Sequence, residues 1–211
     1  MNLHKFSPLV VFETEIKGSA SLLKALYPSH SFDDETGMIT GELNGKVLVH
    51  KDPSFAFFFK AVKEKVKEYL GEFQLKEDLF DLNIVKSWYT VCGPRYDVPS
   101  HYHSCSHISF VYYIDIKEND PLFFTLNNPN EWFGDAFTFT NSKNEVNSLS
   151  YSVQPKKETL LIFPGNVKHY TNTSRNERDY KRMCISGDVV LTLKENMLKY
   201  ESGLLPNKYW G

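Results

Sequence analysis

The sequence predicts a mainly β domain, a sandwich or barrel, with helices packed on its outer face. Two observations carry the prediction. From Leu82 onward, short runs rich in β-branched and aromatic residues follow one another between Pro, Gly and Asn clusters, seven of them in about 110 residues. The composition, 41% hydrophobic and 15% aromatic, is that of a chain able to bury a substantial core over its 211 residues.

Taken in order, "PLVVFETEI" reads as a strand and "GSASLLKALYP" as a short helix stopped by Pro28. A polar connector, "SHSFDDETG", follows. The clearest helix is "DPSFAFFFKAVKEKVKEYLG", with Asp52 as cap, Pro53 in the first turn and Gly71 at the end. Phe55, Phe58, Phe59, Val62, Val66, Tyr69 and Leu70 recur on one face of it, and lysines and glutamates fill the other, so it is a packing helix. The β runs are "LNIVKSWYTV", "HISFVYYIDI", "PLFFTL", "AFTFT", "SLSYSV", "ETLLIF" and "KRMCISGDVVLTL". The expected organisation is one domain over 1–211: an amino-terminal strand and buttressing helices (1–80), a β-core (81–195) and a carboxy-terminal tail (196–211). Between core strands, "LNNPNEWFGDAFTFTNSKNEVNS" is long and rich in turn residues, and suits a lid or substrate loop with Trp132 and Phe133 as its apolar contacts.

A net charge of −2 gives no general attraction to nucleic acid or anionic membranes. Three widely spaced cysteines (Cys92, Cys105, Cys184), without a CxxC pair, argue against a disulfide framework or a cysteine zinc site and favour a reducing compartment. No basic leader with a long apolar region opens the chain, and no window approaches 18 uninterrupted apolar residues. The expectation is a soluble, cytoplasmic protein.

The chemistry concentrates in "SHYHSCSHISFVYY", which holds three of the seven histidines. His101 and His103 are two residues apart, so on an extended backbone both imidazoles project to one side and can grip one metal ion. An exposed turn with ordinary histidines would read the same way, so a third ligand is needed. "ETLLIFPGNVKHY" supplies a candidate, His169, just beyond a strand and a Pro-Gly turn. Arg182 then opens the next strand, and its guanidinium is a fork suited to a carboxylate. A solubilising charge on an edge strand is the plainer account of Arg182 taken alone.

The order His-x-His, distant His, then Arg resembles the iron(II)- and 2-oxoglutarate-dependent dioxygenases. "SWYTVCGPRYDVPSHYHSCSHISFVYYIDI" and "ETLLIFPGNVKHYTNTSRNERDYKRMCIS" resemble more closely the 2OG-Fe(II) oxygenase family found in bacteria and phages, over about residues 83–190. The resemblance implies a double-stranded β-helix (jelly-roll, cupin-like), with Fe(II) as metal and 2-oxoglutarate as co-substrate. It implies His101, His103 and His169 as metal ligands and Arg182 on the 2-oxoglutarate C5 carboxylate. Hydroxyl contacts would come from Tyr112 and Ser109, or from Tyr113 and Ser186. Alternation separates Ser109 and Tyr113 from Tyr112; the last shares the more apolar face of its strand with Ile108, Phe110 and Ile114, and is preferred as barrel-facing.

One departure from the superfamily pattern stands out: His103 occupies the place of the usual aspartate, replacing an anion by a neutral ligand. Asp97 and His107 are the alternatives to His103 as ligand, and three histidines also suit zinc, copper or nickel. The implied reaction is hydroxylation of a small molecule or protein side chain with decarboxylation of 2-oxoglutarate to succinate, by a monomer or homodimer. Trp88, Tyr89, Tyr102 and Tyr170 would give a partly dry pocket, and the basic run Arg175, Arg178, Lys181 and Arg182 would meet an acidic substrate. Two other readings compete: a cupin-like metalloenzyme that does not use 2-oxoglutarate, in which Arg182 has no assigned partner, and a non-enzymatic β-sandwich binding module.

Overall fold

The structure, a computed structural model, describes residues 9–30, 38–76, 78–93, 96–126, 144, 147–172, 181–197 and 203–209. The strand expected at 136–140, the loop residues Trp132 and Phe133, and Arg175 and Arg178 lie outside them.

Nine strands form two antiparallel sheets among the described residues. The strands are β1 (Phe12–Glu15), β2 (Met38–Thr40), β3 (Phe80–Cys92), β4 (Ile108–Asp115), β5 (Leu122–Thr125), β6 (Ser150–Val153), β7 (Thr159–Pro164), β8 (His169–Tyr170) and β9 (Arg182–Leu193). The larger sheet has the order β1-β7-β4-β9-β3-β2 and the smaller β6-β5-β8. Among the described residues, helices α1 (Ala20–Leu26) and α2 (Ala56–Gly71) and several short 3-10 turns complete the regular structure. This is the expected mainly β, double-stranded β-helix architecture with flanking helices.

Helix α2 forms where its pattern requires. Asp52 accepts a hydrogen bond from the Ser54 amide at 2.9 Å, and Pro53 opens a 3-10 turn that runs into the helix. Its buried face, including Phe58, Phe59, Val62 and Val66, packs with α1 on one side of the large sheet. Strand β4 sends Ile108, Phe110, Tyr112 and Ile114 into that layer. Its other face sends Val111 and Tyr113 into a second layer with Leu122 and Phe124 of the small sheet and Leu161, Phe163 and Cys184. Every residue of β4 up to Ile114 is therefore buried, because helices cover one face and the second sheet the other. Among the described residues, no helix is long and apolar enough to cross a membrane.

Candidate metal centre

Backbone pairing brings the two histidine arms together. The His101 amide donates to the His169 carbonyl at 3.1 Å and the His169 amide to the His101 carbonyl at 2.9 Å, a hydrogen-bonded antiparallel pair. Two residues on, the His103 amide donates to the Gly165 carbonyl at 2.8 Å. Gly165 is needed here: a Cβ at this position would lie 2.7 Å from the Ser106 carbonyl oxygen, and the Ser106 hydroxyl stands closer still. The Pro-Gly turn after β7 thus lets the 101–107 arm lie flat against it.

The ring nitrogens of His101, His103 and His169 converge, with one ligand atom from each lying within 4.8 Å of the others. Their hydrogen bonds fix which nitrogen is free. His101 Nδ1 lies 2.8 Å from the Pro99 carbonyl oxygen, and His169 Nδ1 lies 2.9 Å from that of Val167. A carbonyl oxygen only accepts, so each Nδ1 carries the hydrogen and each Nε2 keeps its lone pair. His103 Nδ1 donates in the same sense to the Asp188 carboxylate at 2.6 Å. The result is three Nε2 lone pairs on one centre, a donor set that fits a divalent transition metal.

Electrostatics favour the same state. Burial, reinforced by His101, pushes the His169 imidazole down to about 3. Burial and the neighbouring His103 lower His101 as well, against the pull of its bond to Pro99. Both rings are neutral at pH 7, as a metal ligand must be. The Trp88 indole stacks on His103 with ring centroids 5.7 Å apart, and Phe163 meets His169 edge-on at 4.8 Å, so aromatic walls hold two of the three rings.

Behind the histidines lies a mostly apolar cavity of about 290 Å³. Arg182 lines it, 3% exposed, together with Tyr113, Ser109, Thr171, Cys184 and Ser186. The guanidinium donates to Asp120 Oδ1 at 3.1 Å, to Thr171 Oγ1 at 3.2 Å and to Cys92 Sγ at 3.3 Å. A wider groove of about 1230 Å³ runs along α2, but its lining mixes lysines (Lys60, Lys63, Lys67) with Glu64 and Asp78 over a solvated face. Three convergent histidines and a buried cation make the smaller cavity the candidate site.

Several expectations need correction. Tyr112 is not in the cavity: it points to the helical layer, where its hydroxyl donates to the Ile16 carbonyl at 2.9 Å and its ring meets Phe58 at 5.0 Å. The more apolar face of β4 is the helix-packed one, and Tyr113 occupies the cavity face instead. Ser109 lines the cavity, but its hydroxyl donates to Asp188 Oδ1 at 2.9 Å. Asp97 accepts from Thr171 Oγ1 at 3.1 Å, and His107 Nδ1 accepts from the Leu191 amide at 3.0 Å, so neither joins the three-histidine cluster. Of the four aromatics expected around the pocket, Trp88 lines it. Tyr89 donates to the Leu23 carbonyl at 2.6 Å, Tyr102 is exposed and Tyr170 stacks on Phe123.

Residues 86–188 match a protein family described as "Putative 2OG-Fe(II) oxygenase". The match lies within the β-core, from β3 to β9. The expected cofactors, Fe(II) and 2-oxoglutarate, are those of this oxygenase family. No curated protein matches the sequence. Solved structures with the same fold include a prolyl-4-hydroxylase of Pseudomonas putida, 13% identical, covering 86% of this chain and 92% of its own, with a TM-score of 0.50. HygX from Streptomyces hygroscopicus, with nickel and 2-oxoglutarate bound, is 11% identical over 86% of this chain and 82% of its own, at a TM-score of 0.53. The α-ketoglutarate-dependent epimerase SnoN from nogalamycin biosynthesis is 10% identical over 87% and 80%, at 0.52.

Proposed function

We propose that this oxygenase is a hydroxylase, acting on a small molecule or an amino-acid side chain, with His101, His103 and His169 as metal ligands and Arg182 as the anchor of 2-oxoglutarate. The observation that carries the reading is the placement of three Nε2 lone pairs and a buried guanidinium on one cavity. Bound Fe(II) supplies the oxygen chemistry, coupling decarboxylation of 2-oxoglutarate to oxidation of a C–H bond.

The chain's own residues bind, orient and exclude water. Arg182 offers its fixed donors to the far carboxylate of the co-substrate, held in position by Asp120, Thr171 and Cys92. Tyr113, fully buried beside Arg182, keeps its phenol protonated because burial raises it well above its ordinary value, so its O–H is a donor for the same carboxylate. Phe163, Val111 and Leu122 line the cavity and keep it dry. Substrate approaches past the turn that follows β2, where Glu42 and Leu43 reach the cavity rim.

Release of labelled CO₂ from 2-oxoglutarate carrying the label at C1 tests the reading. Fe(II)-dependent release that is lost in His169→Ala and strongly reduced in Arg182→Met supports it. Release unaffected by Arg182→Met overturns the assignment of the co-substrate anchor. Analysis of the product for an added hydroxyl, once a substrate turns over, separates hydroxylation from epimerisation or ring closure.

A further inference from the structure

Replacing the usual aspartate by His103 leaves the three ligands without a negative charge, yet the site does not lack an anion. Asp188 lies on β9, on the same face as Arg182, Cys184 and Ser186 by strict alternation, and is 4% exposed. Its Oδ1 accepts the His103 Nδ1–H at 2.6 Å and the Ser109 hydroxyl at 2.9 Å, and Ser106 Oγ stands 3.2 Å from Ser109 Oγ. Among the described residues, Asp188 has an ion-pair contact with His103 and with no lysine or arginine. A carboxylate this deeply buried is costly unless positive charge lies near it, and a hydrogen bond from a neutral imidazole is partial compensation.

We propose that Asp188 is the anion of the metal centre, set one residue outward and acting through His103. The inference rests on the metal reading above. A carboxylate on Nδ1–H fixes the imidazole's tautomer and ring orientation and makes Nε2 a stronger donor, so the pair delivers to the metal part of the charge that a directly ligated aspartate would. A divalent cation at the three Nε2 atoms in turn provides the counter-charge that buried Asp188 otherwise lacks. Asp188 is thus a positioning residue, Ser109 holds its carboxylate with Ser106 against the Ser109 hydroxyl, and the Trp88 ring stacked on His103 keeps the imidazole in the plane the bond requires.

The test uses Co(II) as a spectroscopic probe, with affinity from competition against a chromogenic chelator and the melting temperature of each metal-free variant measured alongside. Asp188→Asn keeps the shape and an acceptor oxygen but removes the charge; Ser109→Ala keeps the charge and removes one donor. The expected result is a loss of Co(II) affinity of about 10- to 100-fold in Asp188→Asn with altered visible bands, and a smaller loss in Ser109→Ala. Wild-type affinity and spectrum in a folded Asp188→Asn overturn the proposal and leave the metal reading standing; absence of Co(II) binding in the wild type overturns both. Should Asp188→Asn fail to fold, imidazole nitrogen NMR of the Zn(II)-loaded wild type decides. A proton retained on His103 Nδ1 supports the pair, and a bare or metal-bound Nδ1 overturns it.

Discussion

Asp120→Asn moves stability and co-substrate affinity in opposite directions. Asp120 is 5% exposed and its Oδ1 lies 3.1 Å from the guanidinium of Arg182, itself 3% exposed. Asparagine keeps an acceptor oxygen but leaves the buried cation without its counter-ion. Breaking a buried pair from one side costs about 3 kcal/mol or more, which for a chain of this size lowers the melting temperature by about 6–12 °C. With Arg182 as the proposed anchor, the 2-oxoglutarate carboxylate shares the guanidinium with Asp120. Two like charges about 4 Å apart at an effective dielectric near 20 repel by up to about 4 kcal/mol. Removing that repulsion tightens 2-oxoglutarate binding by about tenfold or more, at 1.4 kcal/mol per decade. Thermal melts with and without 2-oxoglutarate, and calorimetric titration of anaerobic Zn(II)-loaded protein, read both effects. A variant that melts lower yet binds 2-oxoglutarate no more tightly than the wild type refutes the reasoning, because Arg182 would then not be shared.

Two further predictions follow from the geometry. Tyr112→Phe loses the bond to Ile16 and about 1 kcal/mol of stability while leaving 2-oxoglutarate affinity unchanged, whereas Tyr113→Phe weakens that affinity; equal effects on binding would contradict the assignment of the two faces of β4. The metal-free protein loses stability as pH falls from 6.5 towards 3, because His169 is lowered to about 3 in the fold and the unfolded chain therefore takes up the proton first. The contribution is complete above pH 6.5 and amounts to at most about 5 kcal/mol. Urea titrations across that range measure it, Zn(II) shifts the loss to lower pH, and a flat profile in the metal-free protein would count against a neutral, buried His169.

Much of this site was legible in the sequence because its parts follow simple periods. Two-residue spacing put His101 and His103 on one side, and a strand followed by a Pro-Gly turn delivered His169 opposite them. The same alternation that placed Arg182 in the cavity also reaches Asp188, a lone carboxylate in an otherwise apolar stretch of β9; what the sequence lacked was the partner that gives it a role. Tyr112 was misread for a physical reason. In a sheet covered on both faces, the more apolar face is the one that meets helices, while the face around a charged co-substrate must carry polar groups such as Ser109, Tyr113 and Ser186. Asp120 lies in the connection between β4 and β5, where no periodicity applies, and its contact with Arg182 spans 62 residues of sequence.

The central claim is that one cavity holds both the metal and 2-oxoglutarate. Anaerobic addition of Fe(II) and 2-oxoglutarate to metal-free protein tests it most directly, through the visible metal-to-ligand charge-transfer band of the chelate. The account predicts a band that is absent in His101→Ala and His169→Ala, is abolished by excess Zn(II), and is weakened in Arg182→Met. Fe(II) binding without a band would contradict it, leaving a three-histidine metalloprotein that does not use 2-oxoglutarate.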